Sequence, residues 1–272
     1  MTYATIMVQA EPSPEGEPRL HLAADIANRF GASLIGIGVE VLYPIVMGGF
    51  GEVMVEAGEE AIEADLKAAK TAFRKISASV VKGTEWRSKR AFPESMIALN
   101  ARAADLVVAA PSHGPDVGVF SRADPGELLM TCGRPILVAA PEVSSLDASS
   151  IVIGWKDTRE TRRAVADALP FLRRARQILI VEVCEGRDEA AAQQNVADVA
   201  AWLGRHGISA SMAVRPRSDE SVADQLRYVA EVQEADLLVV GGYGHSRLKE
   251  WIFGGVTRAF LARPPGAVLL SR

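Results

Sequence analysis

Short apolar runs alternate along this chain with longer stretches of helical periodicity. In the C-terminal part, Ile151–Gly154 reads as a buried strand and Arg159–Leu172 as an amphipathic helix. Ile178–Val183 is the next strand, and Asp188–Arg205 a second helix with Val196, Val199, Ala200 and Leu203 on its inner face. Ser209–Val214 alternates as a strand, Ser221–Val232 is helical, and Leu237–Val240 is the fourth strand. Trp251–Ala262 reads as the last helix and Ala267–Leu270 as the last strand. Strands apolar on both faces and joined by helices predict a parallel sheet covered on both sides by right-handed crossovers.

The pattern occurs twice. Ala104-Asp105-Leu106-Val107-Val108 recurs as Ala235-Asp236-Leu237-Leu238-Val239, each before a polar turn containing glycine and histidine. Each half opens with an apolar strand, Thr5–Val8 or Ile151–Ile153, and closes with one led by proline, Pro135–Val138 or Pro265–Leu270. The expected architecture is α/β: two tandem doubly wound domains, residues 1–141 and 151–272, with the polar segment 142–150 as linker. An exposed apolar edge strand demands a cover. Ile136–Val138 and Ala267–Leu270, the closing strands of the two halves, are such edges.

Composition narrows the function. The 272 residues are 49% hydrophobic, which is enough for a sizeable core, and the net charge of −4 offers no footprint for nucleic acid or an anionic membrane. No stretch reaches the roughly 20 apolar residues that span a bilayer. MTYATIMVQAEP has no basic region ahead of its apolar run, so no secretory signal is expected. Two cysteines, Cys132 and Cys184, suit a reducing compartment. A cytoplasmic location is expected.

In such sheets the ligand lies at the carboxyl ends of the strands, where strand order reverses. After strand four the chain reads Gly241-Gly242-Tyr243-Gly244-His245-Ser246; nine residues separate Gly244 from Gly254, and Gly255-Val256-Thr257 follows. Glycines let backbone approach a phosphate, and a helix N-terminus offers it free N–H donors. The same glycines would also serve simply as tight turns.

This spacing, together with GHSRLKEWIFGGVTR and the AVADALPFL helix, resembles the universal stress protein family. The resemblance spans the chain as two copies, strongly over 149–272 and weakly over 1–141. It implies a five-stranded parallel sheet in order 3-2-1-4-5 in each copy, and a role in stress resistance with or without bound ATP. The family pairs the last strands of two domains, so with the apolar edges it implies Ile136–Val138 antiparallel to Ala267–Leu270 in an intrachain pseudo-dimer; a homodimer of the whole chain is compatible with this. Carried over residue by residue, it implies a nucleotide site of Gly241, Gly244, His245, Ser246, Gly254, Gly255, Val256 and Thr257, with Trp155, Lys156 and Asp157 at the tip of strand one. The ligand would be ATP or a related adenine nucleotide, with Mg as companion of the phosphates.

Two positions depart from that pattern. Gly255 stands where many ATP binders have Ser or Thr. Lys156 stands where they carry the Asp that receives adenine, and an ammonium has no acceptor for the exocyclic amine. Either Asp157 substitutes after a local shift, or the base pocket is altered. The first half departs further. Pro111-Ser112-His113-Gly114-Pro115 has one glycine where two are needed, Asp124 and Glu127 would repel a phosphate, and Gln9–Pro14 is a proline-stiffened turn. It reads as a degenerate copy kept for packing.

The remaining candidates are weaker. Gly48-Gly49-Phe50-Gly51 lies in a connection before a long helix, Glu52–Ser79, which is not the context of a dinucleotide fingerprint. His21, His113, His206 and His245 are too scattered for metal ligands. Arg159, Arg162, Arg163, Arg173, Arg174 and Arg176 read as a solvated helix face. The functional expectation is a stress-response module holding an adenine nucleotide in its C-terminal half. The alternative is a non-nucleotide-binding interaction protein with vestigial sites. No residue is placed as a general base, so the chain is not expected to be an enzyme, with ATP hydrolysis at most very slow.

Overall fold

The computed structural model describes the chain apart from residues 1, 12, 41–44, 47–52, 55, 113–121, 185–187 and 244–254. The N-terminal half runs β1 (Thr5–Ala10), α1 (Glu17–Phe30), β2 (Ser33–Glu40), a small ladder of β3 (Ile45–Val46) and β4 (Val53–Met54), and α2 (Glu56–Ser77). It continues through β5 (Thr84–Arg90), α3 (Pro93–Asn100), β6 (Leu106–Ala109), α4 (Pro125–Thr131) and β7 (Ile136–Ala139). The C-terminal half runs β8 (Ser150–Trp155), α5 (Arg159–Asp167), α6 (Leu169–Leu172), β9 (Gln177–Cys184) and α7 (Glu189–Arg205). Then come β10 (Ser211–Pro216), α8 (Val222–Val232), β11 (Leu237–Gly241), α9 (Gly255–Ala262) and β12 (Ala267–Ser271).

The strands form one ten-stranded sheet in the order β10-β9-β8-β11-β12-β7-β6-β1-β2-β5. Each half contributes five parallel strands in order 3-2-1-4-5. The halves join where β12 pairs antiparallel with β7, Leu269 opposite Leu137 and Leu270 opposite Ile136, as the apolar edges require. The two outer edges need no such cover. β5 (TEWRSKR) is largely exposed and charged, and β10 ends in Arg215 and Pro216, chemistry that discourages further pairing.

Successive residues of the central strands alternate between two cores. Ile151, Ile153, Leu237, Val239 and Leu269 face α1, α2 and α5–α7; Val152, Leu238, Val240, Val268 and Leu270 face α3, α4, α8 and α9. The repeated aspartate has a structural use. Asp105 accepts hydrogen bonds from the backbone N–H groups of Ala4 and Thr5, and Asp236 from those of Ser149 and Ser150, fastening the start of the first strand in each half.

Several boundaries differ from the sequence reading. The helix expected over Arg159–Leu172 divides at Ala168, because Pro170 brings no N–H and its ring crowds the carbonyl four residues earlier. The strand expected from Ser209 begins at Ser211. The helix expected from Glu52 begins at Glu56, and the one expected from Trp251 is described only from Gly255. Gly48–Gly51 lie outside the described residues. The polar connector is pinned down: Leu146 and Ala148 are buried, and the Leu146 N–H donates to Asp25 Oδ2. Across the seam, Tyr3 Oη donates to the Asp167 carbonyl at 2.6 Å, and its ring meets Phe30 and Phe171 edge-on. The arginine run is indeed on the surface, with Arg162 paired to Asp157 and Arg163 to Asp167. No described helix is long and apolar enough to cross a membrane.

Candidate functional site

In the C-terminal half the strand order reverses between β8 and β11. Gly154 pairs with Val240, which puts Trp155 and Gly241 side by side at the carboxyl edge. The chain then turns through Gly242 and Tyr243, the latter in a left-handed conformation at φ 53°. α9 returns to this turn: the buried Thr257 hydroxyl accepts a hydrogen bond from the Tyr243 N–H at 3.1 Å. Thr257 thereby meets the turn that follows Gly241, with Gly255 and Val256 just ahead of it on α9, and Lys156 follows the neighbouring strand β8. Gly244, His245, Ser246 and Gly254 lie outside the described residues.

The glycines of this turn differ in what demands them. A Cβ on Gly241 would stand 2.6 Å from the Thr161 amide nitrogen and 2.9 Å from the Glu160 carbonyl carbon, so α5 can settle on the strand end only if this residue has no side chain. A Cβ on Gly242 would overlap Leu129 of the N-terminal half. Packing alone therefore accounts for both. Gly255 is different, since a Cβ there meets no described residue within 4 Å.

The tip of β8 separates its three candidates. Trp155 is buried on the α5–α7 face, where it lines a cavity of about 470 Å³ with Val165, Val199 and Trp202, and its Nε1–H has no partner among the described residues. Tyr243 and Val256 pack against the opposite core, so the pleat of the strand keeps the indole away from the glycine turn. Asp157 turns to Arg162, accepting from its Nη2 at 2.5 Å and its Nε at 3.2 Å. Lys156 is exposed. It stands near Glu182, whose carboxyl burial pushes up; the Asn195 hydrogen bond opposes that rise, neighbouring Asp157 adds to it, and Lys156 opposes it. With Asp157 committed to a guanidinium, the tip offers a cation where the resembled pattern has an adenine acceptor.

The N-terminal half holds an arrangement that the sequence reading missed. Its first residue past β1 is Glu11, not a cation, and this carboxylate is buried between Arg19 and Arg122. The signal was available: Arg19 lies four and seven residues before Ala23 and Ile26, on the inward face of α1. Asp124, expected to repel a phosphate, is an N-cap, accepting from the Glu127 N–H at 2.9 Å. Cys132 and Cys184 are both buried free thiols, and burial pushes the Cys132 thiol up to about 11. Among the described residues no three His, Cys, Asp or Glu side chains cluster as metal ligands.

The class so defined is a tandem doubly wound α/β protein with one crevice at the switch point of each half. No protein-family model matches the sequence, and no curated protein matches it. Solved structures do match, over nearly the full length. A universal stress protein from Archaeoglobus fulgidus DSM 4304 superposes with a TM-score of 0.75 at 13% identity, covering 98% of this chain and 96% of the other. A functionally unknown protein from Pseudomonas aeruginosa PAO1 gives 0.62 at 14% identity, over 99% and 92%. The fold is that of universal stress proteins in tandem.

Proposed function

We propose that this chain is a tandem universal stress protein, a stress-response module whose C-terminal half takes ATP or a related adenine nucleotide. The observation that carries the reading is the closure of the Tyr243 turn onto Thr257 at the β8–β11 switch point. That closure sets the start of the described part of α9 beside the end of β11, where main-chain N–H groups would serve a phosphate. Gly255 brings no side chain to that end, and Lys156 adds an exposed cation at the neighbouring strand tip.

The residues present fit the phosphate half of such a ligand better than the base. Thr257 and the backbone of 255–257 would hold phosphate oxygens; Gly244, His245, Ser246 and Gly254 belong to the same proposal on sequence grounds. Mg would enter on the phosphates themselves. Neither Lys156 nor the Arg162-paired Asp157 supplies the acceptor that adenine selectivity needs. The module is read as a binder rather than an enzyme, with ATP turnover at most very slow, in the cytoplasm and without nucleic-acid or membrane partners.

The packing roles of Gly241 and Gly242 favour a second reading, an interaction protein with vestigial sites. Mass spectrometry of small molecules released on denaturing the purified protein, with ATP and GTP titrations of the emptied protein, separates the two. Adenine nucleotide in the released pool or saturable ATP binding is expected. An empty pool with flat titrations leaves the interaction-protein reading standing.

A further inference from the structure

We propose that the N-terminal half is a working part of the C-terminal crevice: α4 holds the Gly242–Tyr243 turn in place, and Tyr243 is the positioning residue through which it acts. The inference deepens the nucleotide reading above and rests on it.

Tyr243 sits at φ 53°, a left-handed backbone that is unfavourable for a residue with a Cβ and that glycine takes freely. Such a conformation persists only where its surroundings hold it. Backbone N–H groups tie down both residues of the turn. The Gly242 N–H donates to the Ser271 carbonyl at 2.8 Å, and the Tyr243 N–H to Thr257 Oγ1 at 3.1 Å. Neither bond uses the phenol side chain, so neither explains why a tyrosine stands here instead of a glycine.

What the side chain adds is a contact across the seam. The Tyr243 hydroxyl lies beside Gly126 of α4, so that a Cβ on Gly126 would come within 2.6 Å of its oxygen. The backbone of Gly242 rests equally closely on Leu129. Gly126 and Leu129 are both buried, three residues apart on one face of α4. Two adjacent residues of the C-terminal turn are thus seated on a single helix of the N-terminal half.

The seating is reciprocal. Counted from the repeated Ala-Asp-Leu, Ser112 holds in the first half the position of Tyr243 in the second. Its N–H donates to the Leu261 carbonyl of α9 at 2.7 Å. Each half rests its switch-point turn on the helix that leads into the other's seam strand, because the β7–β12 pairing brings α4 and α9 together on one face of the sheet. A shift of α4 therefore moves Tyr243, and with it the bond to Thr257 at the crevice. Linkage makes the effect two-way: what α4 does to ligand affinity, the ligand does to α4.

The test titrates ATP into the full chain by calorimetry, with a melting curve for each variant. Tyr243→Gly frees the backbone and deletes the ring. Gly126→Ala leaves the C-terminal half unaltered and sets a methyl against the hydroxyl. Each is expected to lower ATP affinity roughly tenfold while the protein stays folded. That methyl would also stand 2.9 Å from Asp124 Oδ1, and a double variant separates the two contacts. Added to Tyr243→Gly, Gly126→Ala should lower affinity no further. The inference is overturned if the unaltered protein binds ATP and either variant binds it equally well, or if the two losses multiply in the double variant. A flat titration of the unaltered protein is a different failure, that of the nucleotide reading, and this inference falls with it. Should Gly126→Ala fail to fold, hydrogen exchange decides. ATP should slow exchange of the Leu128 and Cys132 N–H groups, which close the turns of α4, in the unaltered protein and not in Tyr243→Gly; unchanged rates overturn the inference.

Discussion

A Cβ added to Gly241 would lie 2.6 Å from the amide nitrogen of Thr161, at the first turn of α5. Backbone cannot yield there as a flexible side chain would. Gly241→Ala is therefore expected to cost roughly 1–3 kcal/mol in urea unfolding without any nucleotide present. Gly255→Ala, which meets no described residue within 4 Å, should stay within about 0.5 kcal/mol of the parent. Equal stability of the two variants would contradict the close approach of α5.

Val239 is fully buried in the middle of β11, between β8 and β12. Val239→Asp would place an uncompensated carboxylate in that core, expected to cost roughly 3–5 kcal/mol or force the carboxyl to stay protonated. The checking measurement is a melting curve, and an unchanged one would show that β11 is not central.

Lys156 governs base choice under the nucleotide proposal. The unaltered protein should discriminate only weakly between ATP and GTP, because a cation at this tip attracts phosphate and accepts nothing from adenine. Lys156→Asp is expected to weaken GTP and favour ATP by roughly tenfold in competition titrations. The idea fails if the ATP-to-GTP ratio is the same for both proteins.

Glu40, the last residue of β2, has its carboxyl pushed up to about 7 by burial and by the charges of Asp65 and Glu11. In the unfolded chain it would titrate near 4.3. The folded state thus binds the extra proton between these values, and the stability it contributes is present below about 4.3 and lost as pH rises through 7. Glu40→Gln removes this loss. With partial solvent screening, the variant should gain about 1 kcal/mol on the parent between pH 5 and pH 8 in paired denaturant titrations. A pH-independent difference would show that Glu40 ionises normally.

Much of the architecture was legible in the sequence because it rests on local periodicity. Apolar runs such as Ile151–Gly154 and Leu237–Val240 become strands buried on both faces, and the repeated Ala-Asp-Leu motif marks corresponding positions in two similar halves. The seam, β7 against β12, was expected from the family resemblance together with the apolar character of both closing strands. The doubly wound pattern placed the switch point between the first and fourth strands of each half, and β8 pairs with β11.

Tertiary structure decided what each of those residues is for. That Gly241 answers to α5 and Gly242 to Leu129 depends on which helix lies over the strand end, and chain spacing carries no record of that. Trp155 and Lys156 are neighbours in sequence, yet the pleat buries one on the α5–α7 face and leaves the other exposed at the tip. Glu11, Arg19 and Arg122 read as an unremarkable turn residue, a helix charge and a loop charge; only folding joins them, because β1, α1 and the segment before α4 converge on one end of the sheet. Local periodicity fixes which way side chains face, whereas the meeting of residues about a hundred positions apart is set by loop closure and packing.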